Sequence, residues 1–393
     1  MTIEASRSEA GAEHIRLGMV GGGRGAFIGA VHRIAARMDD HYRLVAGALA
    51  SDPERAAASA ADIGIDAARA YASFAEMAQA EAARPDGIEA VSIVTPNHLH
   101  AAVATAFLEA GIHVICDKPL SVTVAEAEAL VALQRRTGKI FAVTHNYTGY
   151  PMIRQARAMV RDGRLGTIRL VQMEYAQDWL AEPLETAGSK QAEWRTDPAR
   201  SGAGGCIGDI ATHAYNLGAF VSGLETEALL ARLTTFVGGR RLDDDVQVML
   251  RYVGGAQGLL WASQVAVGNE NALKLRVFGT LGGLEWHQEN PNQLWFTRLG
   301  EPKQLLTRNG AGTGPEAGRV SRIPAGHPEG YLEGFANIYA EIAAAIRATR
   351  TGRAPDPAVT FPDVADGLRG VRFIQAAVES AGKGNVWTRV PAV

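Results

Sequence analysis

The sequence predicts an α/β domain with a doubly wound parallel sheet, joined to an α+β domain with an open, mostly antiparallel sheet. Three observations carry this. Five short apolar runs, at 15–20, 43–49, 89–94, 112–116 and 140–144, alternate with helical patterns near 25–38, 53–63, 73–83, 98–110 and 123–137. Such alternation gives parallel strands joined by right-handed crossovers. Beyond residue 150 the texture changes: a helix at 151–161 and a strand at 168–175 lead into a polar segment, 178–207, and a helix near 208–221. Strand-like runs then follow one another at 227–236, 245–252, 257–266, 272–278 and 292–297, the pattern of an antiparallel-rich sheet. The expected division is a flexible N-terminus at 1–14, one domain at 15–145 and a second at 146–393.

Element by element, Leu17 to Val20 ends in glycines, and a helical pattern follows at Phe27, Val31, Ile34, Ala35 and Met38. Strand, glycine turn, helix is the context in which G-x-G-x-x-G/A implies dinucleotide binding. Gly21 would make the tight turn, Gly23 would let a pyrophosphate approach, and Ala26 would let helix and strand pack closely. Gly22, Arg24, Gly25 and Phe27 complete the stretch, whose helix N-terminus suits phosphate. At the end of the second strand an acid normally holds the ribose; here Ser51 stands there, and Asp52-Pro53-Glu54 reads as a helix cap. Ser51 suits a ribose hydroxyl or a 2′-phosphate, so NAD and NADP both remain open. Gly111 and Gly138 mark helix ends. Residues 308–328, rich in Gly and Pro, read as a lid or a disordered span, and helices at 329–348 and 364–381 close the chain.

The 393 residues suffice for two or three domains, and 47% apolar with 21% charged is ordinary for a globular protein. A net charge of −3 argues against a nucleic-acid partner. Two distant cysteines, Cys116 and Cys206, make neither a metal framework nor a disulfide scaffold. No signal peptide or apolar membrane span is visible, so a cytoplasmic protein is expected.

Three constellations could carry chemistry. Thr95-Pro96-Asn97-His98-Leu99-His100 follows the third parallel-strand run, at the sheet edge where ligands bind. Asn97 could fix a ribose or carboxamide, or cap the next helix. His98 and His100, two apart, cannot share a helix face and read equally as surface residues. Cys116-Asp117-Lys118-Pro119 follows the next strand. Proline keeps Lys118 extended, aiming an ammonium that can hold a substrate hydroxyl. In Gly204-Gly205-Cys206-Ile207-Gly208-Asp209-Ile210-Ala211-Thr212-His213, Asp209 and His213 are four apart on a predicted helix and so share a face. That pair suits proton transfer, or it is structural. Asn146-Tyr147, Asp178-Trp179, Trp194-Arg195 and His327 put aromatic rings beside polar groups, as a polyhydroxylated ligand requires. Asp243-Asp244-Asp245 reads as a solvated turn.

These motifs, in this order, resemble the Gfo/Idh/MocA oxidoreductases over residues 15 to about 385. The resemblance implies a Rossmann domain, then a C-terminal domain whose outer sheet face makes a homodimer or homotetramer. Lys118 corresponds to the lysine of the family's Glu-Lys-Pro, with Asp117 a departure, and Asp209 and His213 correspond to its catalytic aspartate and histidine. The loop residues are similar to members that oxidise a sugar 3-hydroxyl. The expected activity is hydride transfer between NAD or NADP and a secondary alcohol of a sugar, glycoside or cyclic polyol. Alternatives are cofactor recycling between two sugars, a 3-keto-glycoside-forming enzyme, and a non-catalytic sensor. Lys118, Asp209 and His213 are the expected catalytic groups. The glycine stretch, Ser51, Thr95, Pro96, Asn97, His100, Asp117, Lys118 and Asn146 are expected at the cofactor. Lys118, Tyr147, Asp178, Trp179, Trp194, Arg195, Asp209, His213 and His327 are expected at the substrate.

Overall fold

The structure is a computed structural model and describes residues 13–393, the side chain of residue 190 excepted. The N-terminus expected to be flexible lies, up to residue 12, outside the described residues. The chain forms two compact units: one of residues up to 121, 125–149 and 331–368, the other of 122–124, 150–330 and 369–393.

In the first unit the elements run β1 (Ile15–Gly21), α1 (Phe27–Met38), β2 (Tyr42–Ala48), α2 (Pro53–Asp62), α3 (Phe74–Ala83), β3 (Ala90–Val94), α4 (His100–Glu109), β4 (His113–Cys116), α5 (Val124–Thr137) and β5 (Phe141–Val143). The sheet order is β2-β1-β3-β4-β5, and every neighbouring pair is parallel. β3 is buried along its whole length, as a strand covered on both faces must be. Asp52 caps α2 by accepting the Arg55 N–H at 2.7 Å, with Pro53 at the first helical position. Gly111 and Gly138 take φ of +77° and +65° where α4 and α5 stop.

The helix Tyr331–Arg350, expected in the second domain, belongs to this unit. Its Phe335, Ile338, Tyr339, Ile342 and Ile346 pack with Ile15, Leu17, Val31, Ala35 and Tyr42 in one core. Covering β1 and α1 is what draws it back across the sequence. A buried polar knot ties it further: the Tyr339 hydroxyl lies 2.8 Å from both His32 Nδ1 and Ser92 Oγ, and the Tyr42 hydroxyl donates to the Tyr339 carbonyl.

The second unit begins with α6 (Pro151–Arg161) and β6 (Ile168–Ala176), followed by α7 (Lys190–Arg195) and α8 (Pro198–Ser201). A π-helical turn, Ile207–Ala211, runs into α9 (Thr212–Ser222). Then come β7 (Thr226–Thr234), β8 (Asp245–Tyr252), β9 (Gln257–Ser263), β10 (Ala272–Gly279), β11 (Gly282–His287), β12 (Gln293–Arg298), β13 (Gln304–Thr307) and α10 (Pro315–Gly318). Beyond the first-unit helix, which is α11, lie α12 (Val364–Gly382) and β14 (Thr388–Arg389). The nine strands order as β13-β12-β11-β10-β6-β9-β8-β7-β14, antiparallel except between β6 and β9. On β8, Val246, Val248, Leu250 and Tyr252 are buried while Gln247, Met249 and Arg251 face outward.

The lid or disordered span expected at 308–328 is a stapled loop. The buried Arg308 guanidinium pairs with Glu329 at 3.0 Å and donates to the carbonyls of Ile323, Pro324 and His327. β11, β13 and β14 were not read from the sequence. β13 and β14 are too short for alternation to register, and Gly282-Gly283 dilutes the signal of β11. Among the described residues no helix is long and apolar enough to cross a membrane.

Ile342 is fully buried in the core shared by α1, β1 and α11. Ile342→Ala is expected to destabilise the protein by about 2–5 kcal/mol, read as a lowered urea midpoint.

Candidate active site

The glycine turn after β1 forms a groove of about 450 Å³, lined by Gly22, Gly23, Arg24, Gly25, Ala26, Phe27, Arg33, Leu49 and Ser59 among others. Gly21 has φ +79°, and a Cβ there would lie 2.8 Å from the Val94 carbonyl oxygen. A Cβ on Gly23 would lie 2.7 Å from the Leu49 carbonyl oxygen and 2.8 Å from Ser59 Oγ. The close helix–strand packing expected of Ala26 is made instead by Gly22 and Gly29, where a Cβ on Gly22 would reach 2.9 Å from the Gly29 Cα. Ala26 caps α1 without a side-chain hydrogen bond, so the first-turn N–H groups keep their capacity for an anion. The Arg24 guanidinium is committed to Asp62, while the Arg24 carbonyl accepts from Arg55. Phe27 and Ser51 are exposed.

The loops after β3 and β4 are tied by His100. Its ring is buried, with Nδ1 2.7 Å from the Pro119 carbonyl and Nε2 2.9 Å from the Thr95 carbonyl. The expectation of a surface or cofactor-facing imidazole is therefore corrected: both ring nitrogens face backbone carbonyls inside the protein, and the one that carries the proton donates. Asp117 Oδ1 accepts from the Lys118 N–H and from the Thr144 hydroxyl, each at 2.9 Å, which fixes the start of the Lys118 segment. The Lys118–Pro119 peptide is cis. Pro96 leads into a 3-10 turn that holds Asn97, and Asn97 is buried. A second 3-10 turn, Asn146–Gly149, buries Asn146 and Tyr147, whose ring meets the Tyr331 ring edge-on at 6.4 Å. His145, which the sequence reading missed, is buried beside this group; burial, then the Lys118 charge, pushes its pKa down to about 3. Thr95 Oγ1 and Asn146 Nδ2 are buried with no hydrogen-bond partner among the described residues. Buried polar atoms require partners. A cradle closed to side chains and two waiting polar atoms on the same unit fit a dinucleotide cofactor.

In the second unit Asp209 lies within the π-helical turn and His213 in the first turn of α9. The helix read from the sequence thus carries a wider turn, a feature frequent at functional sites. Asp209 Oδ2 accepts from Gln264 Nε2 at 2.9 Å and lies 3.3 Å from Arg195 Nε. The Arg195 guanidinium stands 4.3 Å from the Trp194 ring centroid and 5.9 Å from that of Trp179. The His213 ring meets Tyr175 edge-on at 6.4 Å. Four sequence-predicted residues, Trp179, Trp194, Arg195 and Asp209, thus form one cluster. Two others do not join it: Asp178 anchors a loop by accepting the Gly268 N–H, and the exposed His327 serves through its carbonyl to Arg308. Gln264 gave no sequence signal, since a lone glutamine after a strand has no motif.

Asp243-Asp244-Asp245 is corrected from a solvated turn to a buried cluster. Asp243 accepts the Gly205 and Ile207 N–H groups, Asp244 those of Phe236 and Val237 with Arg240 beside it, and Asp245 that of the Trp261 indole. Burial raises Asp243 to about 6, against the pull of its two N–H donors.

Residues 15–145 match the family described as oxidoreductase family, NAD-binding Rossmann fold, and 153–285 match the GFO/IDH/MocA C-terminal domain. The uncharacterized oxidoreductase YfiI of Bacillus subtilis is 38% identical over 95% of this chain and 96% of its own. Levoglucosan dehydrogenase of Pseudarthrobacter phenanthrenivorans is 30% identical over 72% of this chain and 76% of its own. Among solved structures, an oxidoreductase from Sinorhizobium meliloti is 57% identical, with a TM-score of 0.88, covering 96% of this chain and 99% of that one. An inositol dehydrogenase homolog from Azotobacter vinelandii, complexed with NAD+, is 41% identical, with a TM-score of 0.93, covering 96% and 98%. The fold and site define an oxidoreductase with an NAD-binding Rossmann domain. The chain belongs to the GFO/IDH/MocA family.

Burial holds His32 and His113 down to about 4 and His145 to about 3, so all three are neutral when folded. Unfolded histidine binds a proton near pH 6.5, so the unfolded state takes up more protons below that value. Stability should be full above about pH 6.5 and fall progressively toward pH 4, at about 1.4 kcal/mol per pKa unit for each fully buried ring. Urea titrations across that range check this.

Proposed function

We propose that this chain is a cytoplasmic dehydrogenase that oxidises a secondary alcohol of a sugar, glycoside or cyclic polyol, with NAD+ or NADP+ as acceptor. The observation that carries the reading is the Asp209 cluster: a carboxylate held by Gln264 and Arg195, one turn before His213, with two indoles flanking the guanidinium. Indole faces suit the C–H face of a ring, and the polar groups suit its hydroxyls. A relative that oxidises levoglucosan and a structural neighbour named as an inositol dehydrogenase homolog support the substrate class.

The nicotinamide, when bound, supplies the hydride acceptor. The Gly21–Gly25 turn and the start of α1 would hold its pyrophosphate, and Thr95, Asn97 and Asn146 its nicotinamide half. In this mechanism the Lys118 ammonium holds the substrate hydroxyl, and the His213 imidazole takes the hydroxyl proton as the carbinol C–H leaves with its electron pair. Asp209 stabilises the imidazolium so formed, and Arg195 and Gln264 keep its carboxylate from turning away. Positioned proton transfer contributes about 10²–10⁴-fold.

A screen of myo-inositol, levoglucosan and D-glucose with NAD+ and NADP+ tests the class, since absence of nicotinamide reduction on all such alcohols would sink it. Lys118→Met and His213→Asn should each lower kcat by about 10²–10⁴-fold, while NADH titration by fluorescence gives an unchanged Kd.

We further propose that the open face of the nine-stranded sheet joins copies of this chain as a homodimer or homotetramer. Leu170, Met249 and Leu259 are 47–49% exposed there, and Met249, Leu259, Trp261 and Arg232 line a depression of about 480 Å³. Exposed apolar surface of this kind marks interaction sites. Leu259→Arg is expected to reduce the mass measured by light scattering to that of a single chain.

A further inference from the structure

The segment Gly204–Asp209 begins without a side-chain cap: Cys206, at the cap position of the π-helical turn, gives no capping hydrogen bond from its side chain. Three consecutive N–H groups at its start, those of residues 205, 206 and 207, are nevertheless taken up by one residue. Gly205 N–H donates to Asp243 Oδ1 at 2.7 Å, Ile207 N–H to Asp243 Oδ2 at 2.8 Å, and Cys206 N–H to the Asp243 carbonyl at 2.8 Å. The approach requires glycine: a Cβ on Gly205 would lie 2.2 Å from the Asp243 carbonyl oxygen. The Gly205 carbonyl then accepts the Asp209 N–H at 2.9 Å. On the other side the Asp244 carbonyl accepts the Gln264 N–H at 2.8 Å, and Gln264 reaches Asp209. The backbone of 243–244 therefore holds both the turn that carries Asp209 and the amide that fixes its carboxylate.

We propose that Asp243 is the positioning residue of this turn, acting through Asp209 and His213 on the reading that these two work on the substrate alcohol. Both carboxylate oxygens are engaged as acceptors, so a proton on either one cancels half the clamp. Burial sets that titration near 6. The neighbouring Asp244 charge adds to the upward push on Asp243, and burial first, then the charges of Asp243, Asp209, Asp245 and Asp244, pushes the adjoining Cys206 thiol up. Asn in place of Asp243 would set an NH₂ against one of two N–H donors, a conflict that removes one bond without changing size.

The experiment compares the full-length wild type with Asp243→Asn, using myo-inositol and levoglucosan with NAD+ as probes. Asp243→Asn is expected to lower kcat about 10- to 100-fold, the scale of a small misplacement, with the KM for NAD+ unchanged. Wild-type exchange over 203–211, corrected for intrinsic rate, should quicken as pH falls through about 6, and Asp243→Asn should show no such step. Hydrogen exchange over 203–211 should quicken at least about tenfold in the variant, while peptides of the parallel sheet stay unchanged. Unchanged exchange over 203–211 in a folded Asp243→Asn, or a step near pH 6 that survives in its exchange, overturns the proposal. Quickened exchange with no turnover of either probe by the wild type upholds the clamp and counts against the dehydrogenase reading instead. If Asp243→Asn does not fold, wild-type exchange over 205–207, corrected for intrinsic rate, must quicken as pH falls through 6; a flat profile overturns the proposal.

Discussion

Burying a carboxylate in a low-dielectric interior is unfavourable unless hydrogen-bond donors surround it, and the second unit is arranged around that constraint. Three consecutive aspartates leading into β8 are taken out of water, and each recruits a different part of the chain. Asp243 takes the amides of 205 and 207, Asp244 those of 236 and 237, and Asp245 the indole of Trp261. The buried Arg240 joins Asp244 to Glu185 and to the Leu180 carbonyl, so the polar segment near 178–186 is anchored from the same point. The candidate Asp209 cluster rests on this frame.

The first unit meets a related problem with imidazoles. His100 joins two loop carbonyls, His32 meets a serine and a tyrosine, and His145 lies beside the Lys118 segment. Burial keeps His32 and His145 neutral, so these rings hold geometry without adding positive charge near the lysine.

The motifs legible in the sequence were those whose chemistry is local. A glycine turn after an apolar run, a proline-led helix cap at Asp52 and glycines at helix ends each act within a few residues, and each lies where the spacing predicts. Lys118 stood out as a candidate because it follows a strand end and precedes a proline, and Asp209 and His213 because they are four apart on a predicted helix. Gln264, His145 and the role of Asp243 did not, because their partners lie 55, 27 and 38 residues away: Gln264 with Asp209, the His145 segment with the Lys118 loop, Asp243 with Gly205. A run of three aspartates has the composition of a solvated turn, and nothing in its own neighbourhood announces the amides that meet it.

The sequence by itself determined the alternation of strands and helices, the two sheet classes and the order of the chemical motifs, since periodicity and turn chemistry are properties of neighbouring residues. Tertiary structure alone decided that Tyr331–Arg350 returns to cover β1 and α1, that 308–328 is held by a buried arginine, and that His100 is a tie between loops. In each case the deciding quantity is the pairing of buried groups far apart along the chain, apolar face to apolar face or donor to acceptor. Such pairings depend on which segments meet in space, which no local pattern encodes.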